Sequence, residues 1–263
     1  GCIESGKDSF AGGARWGHIY RPACRPHGYQ SSVNSLAAIK KLVYEDKKIE
    51  MSELLNALSN NFEGHEALQR TLLEAPKWGN DDDYVDNMAK EFTAWVSEQI
   101  TSQNGIDGMP YLPYREGVAM HWAFGVYIGA LPDGKKAWQP TCDGSLSAMA
   151  GTDKKGPTAV FNSAIKIDAT DTECTLLNLK IHPGSLKTRD GIKKFASLLK
   201  TYFDNGGYHC QFNILTKETL LDAKAHPENY RDLLVRVSGF SVYWVELPAG
   251  IQDEIIARTE HTL

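Results

Sequence analysis

Two β-favouring apolar runs, residues 233–237 (LLVRV) and 240–247 (FSVYWVEL), are interrupted by Ser238 and Gly239. A glycine in such a setting has no side chain to pack and costs backbone entropy, so a strand keeps one only where the chain must turn, bulge or admit a close neighbour. Its ordinary role is a tight turn that needs a positive φ. The preceding segments fix what kind of sheet this is. Residues 175–183 (TLLNLKIHP) predict a strand ending at a proline, 189–203 a helix with Ile192, Phe195, Leu198 and Leu199 inward, 208–215 (YHCQFNIL) an alternating strand, and 216–226 a further helix. Strands alternating with helices imply an α/β arrangement.

Upstream the pattern is helical. Val33, Leu36, Ile39, Leu42 and Val43 recur at helical spacing over residues 32–45, behind Ser31 or Ser32 as a cap, and Leu54, Leu55 and Leu58 mark a helix after Met51. A short helical run covers residues 65–74. Residues 82–99 open on aspartates, which suit a helix N-terminus, and put Val85, Met88, Phe92 and Val96 on one face. Residues 103–118 and 131–157 are rich in Gly, Pro, Asp and Lys and predict loops, with turn chemistry continuing through 142–159. Between them the apolar run at 120–131 (MHWAFGVYIGAL) predicts a buried strand.

Composition narrows the function. A net charge of -5 over 263 residues gives no basic footprint for phosphate backbones or anionic lipid. No apolar stretch is long enough to span a bilayer, and no export signal opens the chain. Cys2, Cys24, Cys142, Cys174 and Cys210 are scattered without a paired motif, which fits neither a disulfide framework nor a zinc site and suits a reducing cytoplasm. Cys142, Cys174 and Cys210 read as packing cysteines, and His182 and His209 as hydrogen-bonded core histidines.

The string RVSGFS (236–241), followed by IQDEIIARTEH (251–261), resembles the radical loop of the glycyl radical enzymes. The chemistry accounts for the residue type: a radical at an α-carbon is shared with the flanking amide nitrogen and carbonyl once the centre flattens, and only glycine has no Cβ to obstruct that flattening. GCIES (1–5) is similar to the family's Gly-Cys-x-Glu loop. There the cysteine becomes a thiyl and the glutamate acts as a base in dehydratase-type members. The segments 151–168, 175–183 and 207–214 resemble, in the same order, those preceding the radical loop in the dehydratase and decarboxylase branch. Ile3 stands where a pyruvate formate-lyase has a second cysteine.

The resemblance implies a specific set of expectations. The fold is the C-terminal part of a ten-stranded α/β barrel of the glycyl radical enzyme type, incomplete in this chain, with a barrel remnant at 1–140 and a glycine radical domain at 141–263. Gly239 carries the radical, Cys2 the thiyl and Glu4 the general base. Gly239 and Cys2 are then expected to meet at the tips of two loops, because hydrogen transfer requires near contact. No metal or cofactor is bound; a separate activase using S-adenosylmethionine and an iron-sulfur cluster installs the radical. The expected reaction is radical elimination, dehydration or decarboxylation, on a small metabolite in an anaerobic cytoplasm, in a homodimer when full length. Family members are several times longer, so the chain reads as a fragment or truncated member, with residues 16–30 departing from the family pattern. Formate acetyltransferase activity and a non-catalytic spare radical domain are the alternatives.

Overall fold

A computed structural model describes residues 2–6, 22–105, 108–115, 117, 119–172 and 174–263. The centre of the C-terminal half is a parallel three-stranded sheet in the order β4–β3–β7, where β3 is Asn178–Ile181, β4 Gln211–Asn213 and β7 Glu260–His261. Asn178 pairs with Gln211 and Lys180 with both Asn213 and Glu260. Parallel neighbours require crossovers. Helix α8 (Arg189–Asp204) makes the first, and α9 (Lys217–Ala225) and α10 (Ala249–Ala257) lie within the second. The expected α/β alternation is therefore present.

The antiparallel pair β5 (Leu234–Arg236) and β6 (Ser241–Tyr243) is inserted between α9 and α10 and pairs Leu234 with Tyr243 and Arg236 with Ser241. It is attached to the parallel sheet by a side chain: Asn213 Oδ1 accepts from the Arg236 amide at 2.8 Å and Asn213 Nδ2 donates to the Arg236 carbonyl at 2.7 Å. Beneath this hairpin a compact apolar cluster of Leu220, Val235, Val237, Trp244 and Ile255 seals it against α9 and α10.

The N-terminal half supplies helices. These are α1 (Cys2–Ser5), α2 (Tyr29–Ile39), α3 (Met51–Ser59), α4 (Glu66–Glu74) and α5 (Asp83–Thr101). The first of the expected long helices starts earlier than its polar residues suggest. Ser31 is buried inside α2, Gly28 in the left-handed region is its N-cap, and beyond Ile39 the helix loosens into a π turn over Lys40–Glu45. Asp82 caps α5 by accepting from the Tyr84 amide at 3.0 Å. Two short strands, β1 (Ala23–Cys24) and β2 (Leu112–Pro113), pair in parallel at the edge of this region.

Three expected secondary structures need correction, and Ile192, expected inward on α8, is exposed. The run at 120–131 is not a strand: Met120–Gly125 forms helix α6 and the rest is turn. Short apolar runs do not distinguish buried strand from buried helix. What decides here is His121, fully buried toward a carboxylate on α10, and Gly125, whose backbone lies so close to the Gln139 carbonyl that a Cβ would come within 2.5 Å. The turn chemistry of 142–159 ends earlier, because Pro157 occupies the first turn of an unforeseen helix, α7 (Pro157–Ile165), a position where its missing N–H costs nothing. The run 240–247 is strand only to Tyr243 and then a tight turn of helix over Trp244–Glu246.

The largest core joins both halves. Trp78 is fully buried among Val33, Val85, Phe161, Leu177 and Ile181, donates its indole N–H to the Leu146 carbonyl at 3.1 Å, and gives its amide to Asn34 Oδ1 at 2.8 Å. One side chain thus ties α2, the 142–147 loop and the sheet. We expect Trp78→Ala to cost about 3–5 kcal/mol, typical of emptying a buried aromatic site, read as a fall in the urea midpoint; a change within error would show that this core is not shared.

Candidate functional site around Gly239

Gly239 sits at the turn of the β5–β6 hairpin with φ +84°, in the left-handed region, and is exposed. The loop closes with the Val237 amide donating to the Phe240 carbonyl at 3.0 Å. A Cβ on Gly239 would stand 3.3 Å from both the Gly117 carbonyl oxygen and Leu176 Cδ1, so a side chain is disfavoured by backbone conformation and by crowding together. The partners are equally bare. A Cβ on Gly117 would overlap Ser238 Oγ, and one on Gly144 would meet the Leu176 carbonyl at 2.6 Å. Three glycines from separate stretches therefore let three backbones converge at the loop.

Ser238, fully buried, donates its hydroxyl to the Asp143 carbonyl at 2.6 Å. Asp143 opens onto a buried ion cluster: its Oδ2 accepts from Asn178 Nδ2 at 2.6 Å and lies 3.0 Å from Arg258 Nη1. Arg258 grips Glu254 with Nε and Nη2 at 2.9 and 2.7 Å, and Glu254 Oε2 is 3.2 Å from His121 Nε2. Burial raises the Asp143 carboxyl above its usual range, with the Glu254 charge adding to the effect against the pull of Arg258. Burial works the same way on Glu254, but the Arg258 charge and the bond with His121 outweigh it and hold that carboxyl down at about 2. The Arg258 guanidinium loses solvation by burial, yet Asp143 and Glu254 hold its pKa above the ordinary value.

A second path reaches the glycine from the other side. Arg236 Nη2 donates to the Gly239 carbonyl at 3.3 Å and Nη1 to Ser241 Oγ at 3.3 Å, while Nε donates to Gln211 Oε1. Gln211 in turn donates to Asn178 Oδ1, and Asn178 returns to Asp143. Gly239 is thus held from both flanks by chains of bonds that meet at Asp143.

Of the residues expected from sequence, Gly239 is placed in this network. Glu4 lies in α1, exposed. The Cys2 side chain, and with it the expected approach of Cys2 to Gly239, lies outside the described residues, as do residues 16–21 of the atypical segment. His182 is not a core histidine: its imidazole is 42% exposed and its Nδ1 accepts from the Gly184 amide at 2.9 Å. His209 is half-buried with Nδ1 unpartnered, and burial together with the Arg236 charge lowers its pKa. Burial pushes the Cys142 and Cys210 thiols up to about 11, as inert packing cysteines require, while Cys174 is only partly buried. Asp143, Glu254, Arg258 and His121 escaped the sequence reading. Spacing Glu254 and Arg258 four apart on a helix was the available signal. Among the described residues no three or more His, Cys, Asp or Glu side chains converge to hold a metal, and no helix is long and apolar enough to cross a membrane.

This chain belongs to the glycyl radical enzymes: its residues 1–125 match the pyruvate formate lyase-like family and residues 142–245 the glycine radical family, the latter span containing Gly239. It is 38% identical to indoleacetate decarboxylase of Tractidigestivibacter scatoligenes, over 99% of this chain and 32% of that protein. It is 40% identical to trans-4-hydroxy-L-proline dehydratase of Clostridioides difficile, over 99% and 33%. The glycerol-bound glycerol dehydratase of Clostridium butyricum superposes with a TM-score of 0.89 at 40% identity, covering 100% of this chain and 33% of that one. The chain therefore spans about a third of the length of these relatives. Its fold is the matching part of their ten-stranded α/β barrel.

The ion cluster makes a pH prediction. Glu254 falls from 4.5 to about 2 on folding, so its contribution to stability is complete above pH 4.5 and is lost as pH falls toward 2. Asp143, raised by folding, contributes with the opposite sign. Glu254→Gln should lower stability at pH 7 by about 3–5 kcal/mol, the range for breaking a buried pair, and should make the acid decline in that window shallower. Melting curves across the window check both; an unchanged acid slope would show that Glu254 is not the group responsible.

Proposed function

We propose that the protein containing this chain is a glycyl radical lyase that dehydrates or decarboxylates a small metabolite, with Gly239 storing the radical, Cys2 forming the thiyl and Glu4 serving as general base. The single observation that carries this is Gly239 itself: a positive φ, a hairpin tip, a crowded site for a Cβ, and a position inside the matched glycine radical segment. The relatives named above are two dehydratases and a decarboxylase, which favours elimination over acyl transfer.

In this scheme the Cys2 thiyl takes a hydrogen atom from a substrate carbon, and Glu4 takes a proton from the neighbouring hydroxyl or carboxyl. The leaving group departs as water, carrying the proton that Glu4 returns, or as carbon dioxide, with Glu4 returning its proton to the carbon left behind; the product radical then recovers the hydrogen atom from Cys2, and the thiyl takes a hydrogen atom from Gly239 so that the radical is stored there. Residues 1–140 serve as the barrel portion and 141–263 as the radical domain. A radical S-adenosylmethionine activase installs the radical, the assembled enzyme is a homodimer, and an anaerobic cytoplasm suits both the radical and the free thiols.

Oxygen reports where the radical sits. A carbon radical combines with O₂, and the peroxyl at a glycine breaks the main chain there, so air should cut the activated chain and release a piece spanning residues 240–263, found by mass spectrometry. The unactivated protein should stay whole, and Gly239→Ala should be neither radical-bearing nor cut. A break elsewhere would remove Gly239 from its role. Among the other variants, Cys2→Ser should keep the radical signal and lose turnover, and Glu4→Gln should keep the signal and slow elimination by about 10²- to 10⁴-fold, as for a lost general base; undiminished turnover in Glu4→Gln would end its assignment.

A further inference from the structure

We infer that Arg236 is a positioning and tuning residue for the radical: its guanidinium, hydrogen-bonded to the Gly239 carbonyl, draws spin from the α-carbon toward that oxygen. This rests on Gly239 being the radical site.

The observation is one of aim. Arg236 lies three residues before Gly239, on the strand that leads into the loop, and at the solvent-exposed tip it directs Nη2 at the carbonyl of Gly239. The other two faces of its fork are occupied, Nη1 by Ser241 Oγ across the hairpin and Nε by Gln211 Oε1 on β4. Its own backbone is clamped on both sides by the Asn213 amide. Among the described residues its hydrogen-bond acceptors are all neutral. A planar fork that reads two acceptors and the Gly239 oxygen at once is a job for arginine rather than lysine.

The Gly239 carbonyl is half of what stabilises a glycyl radical. The amide nitrogen donates electron density into the half-filled orbital at Cα and the carbonyl withdraws it. A hydrogen bond from a cation makes the carbonyl a better acceptor, and charge-assisted bonds are about twice as strong as neutral ones. The bond also fixes the carbonyl plane, which must align with the flattened Cα for spin to spread. Arg236 forms and breaks no covalent bond in this role and keeps its proton throughout. Arg236 and Ser238 thereby hold the two sides of one residue, the first by its carbonyl and the second through the buried Asp143 carbonyl.

The test is spectroscopic and uses the activated full-length protein that contains this chain. With arginine labelled by the heavy nitrogen isotope, electron-nuclear double resonance on the glycyl radical should detect a coupling to the label, a measurement that needs no variant. Arg236→Met should lose that coupling, widen the α-proton doublet as spin returns to Cα, and shorten the lifetime of the radical in air. Arg236→Lys, which keeps a charged donor, should restore most of the doublet and lifetime. A merely structural Arg236 would change melting temperature while leaving the doublet as it is. Absence of nitrogen coupling in the unsubstituted radical, or a doublet identical in Arg236→Met, would overturn the assignment. Failure to form any glycyl doublet in the unsubstituted protein would instead overturn the placement of the radical at Gly239, and this role of Arg236 with it.

Discussion

The pairing of Arg258 with Asp143 and Glu254 is the interaction on which the arrangement around Gly239 depends. These three charges come from α10 and its C-cap and from the loop before α7, far apart in sequence, and all are buried. Desolvating charges is expensive, and a buried ion cluster is seldom the most stable way to fill a space. What it provides is definition. Each carboxylate oxygen and each guanidinium nitrogen has a directional demand, so α10, α6 and the 142–147 loop can meet in one way. The Asp143 carbonyl, fixed by that meeting, is the acceptor to which Ser238 is tied. A hydrophobic plug of the same volume would hold the helices together without specifying where residue 238 must stand.

The glycines act as the complement of the charges. Where Asp143, Arg258 and Glu254 fix distances by attraction, Gly117 and Gly144 permit distances that a side chain would forbid, and Gly239 permits one that a side chain would crowd. Together they bring a hairpin turn, a loop flanking α6 and a loop preceding β3 into backbone contact. Only at Gly239 does a positive φ add to the crowding at the turn. The exposure of Gly239 and of the adjacent Phe240, 40% accessible, means that the loop is presented outward from the part of the fold described here.

Much of this was legible in the sequence, and the failures share a cause. The alternation of strands and helices from residue 175 onward, the long helix opening on aspartates, and the special status of Gly239 follow from local periodicity and backbone preference, and all three are present. Pattern recognition reached the family because RVSGFS concentrates several unusual requirements in six residues. The helix at Met120–Gly125 and the helix at Pro157–Ile165 were missed because tertiary partners decide them: the first is short and dictated by where His121 must point, the second hides behind a turn-rich leader. The ion cluster was invisible for a deeper reason. Asp143, Glu254 and Arg258 are polar residues in segments whose local pattern says surface, His121 is a lone polar residue in an apolar run, and only the assembled fold shows that the four meet inside. His182 and His209 failed in the opposite direction, being less buried than lone histidines on strands usually are.

The clamp between Asn213 and the backbone of Arg236 has a consequence for accuracy. Neighbouring strands joined by a regular ladder can slide by two residues and recover an equivalent set of bonds, with every side chain still on its proper face. An amide that gives one N–H to a single carbonyl and takes one N–H from the same residue offers no such second-best solution. The hairpin is therefore indexed to the sheet as a key is to a lock with one notch. Gly239, three residues farther along, inherits that index, so the reach of the loop is measured from the sheet and does not drift with the length or flexibility of the chain on either side.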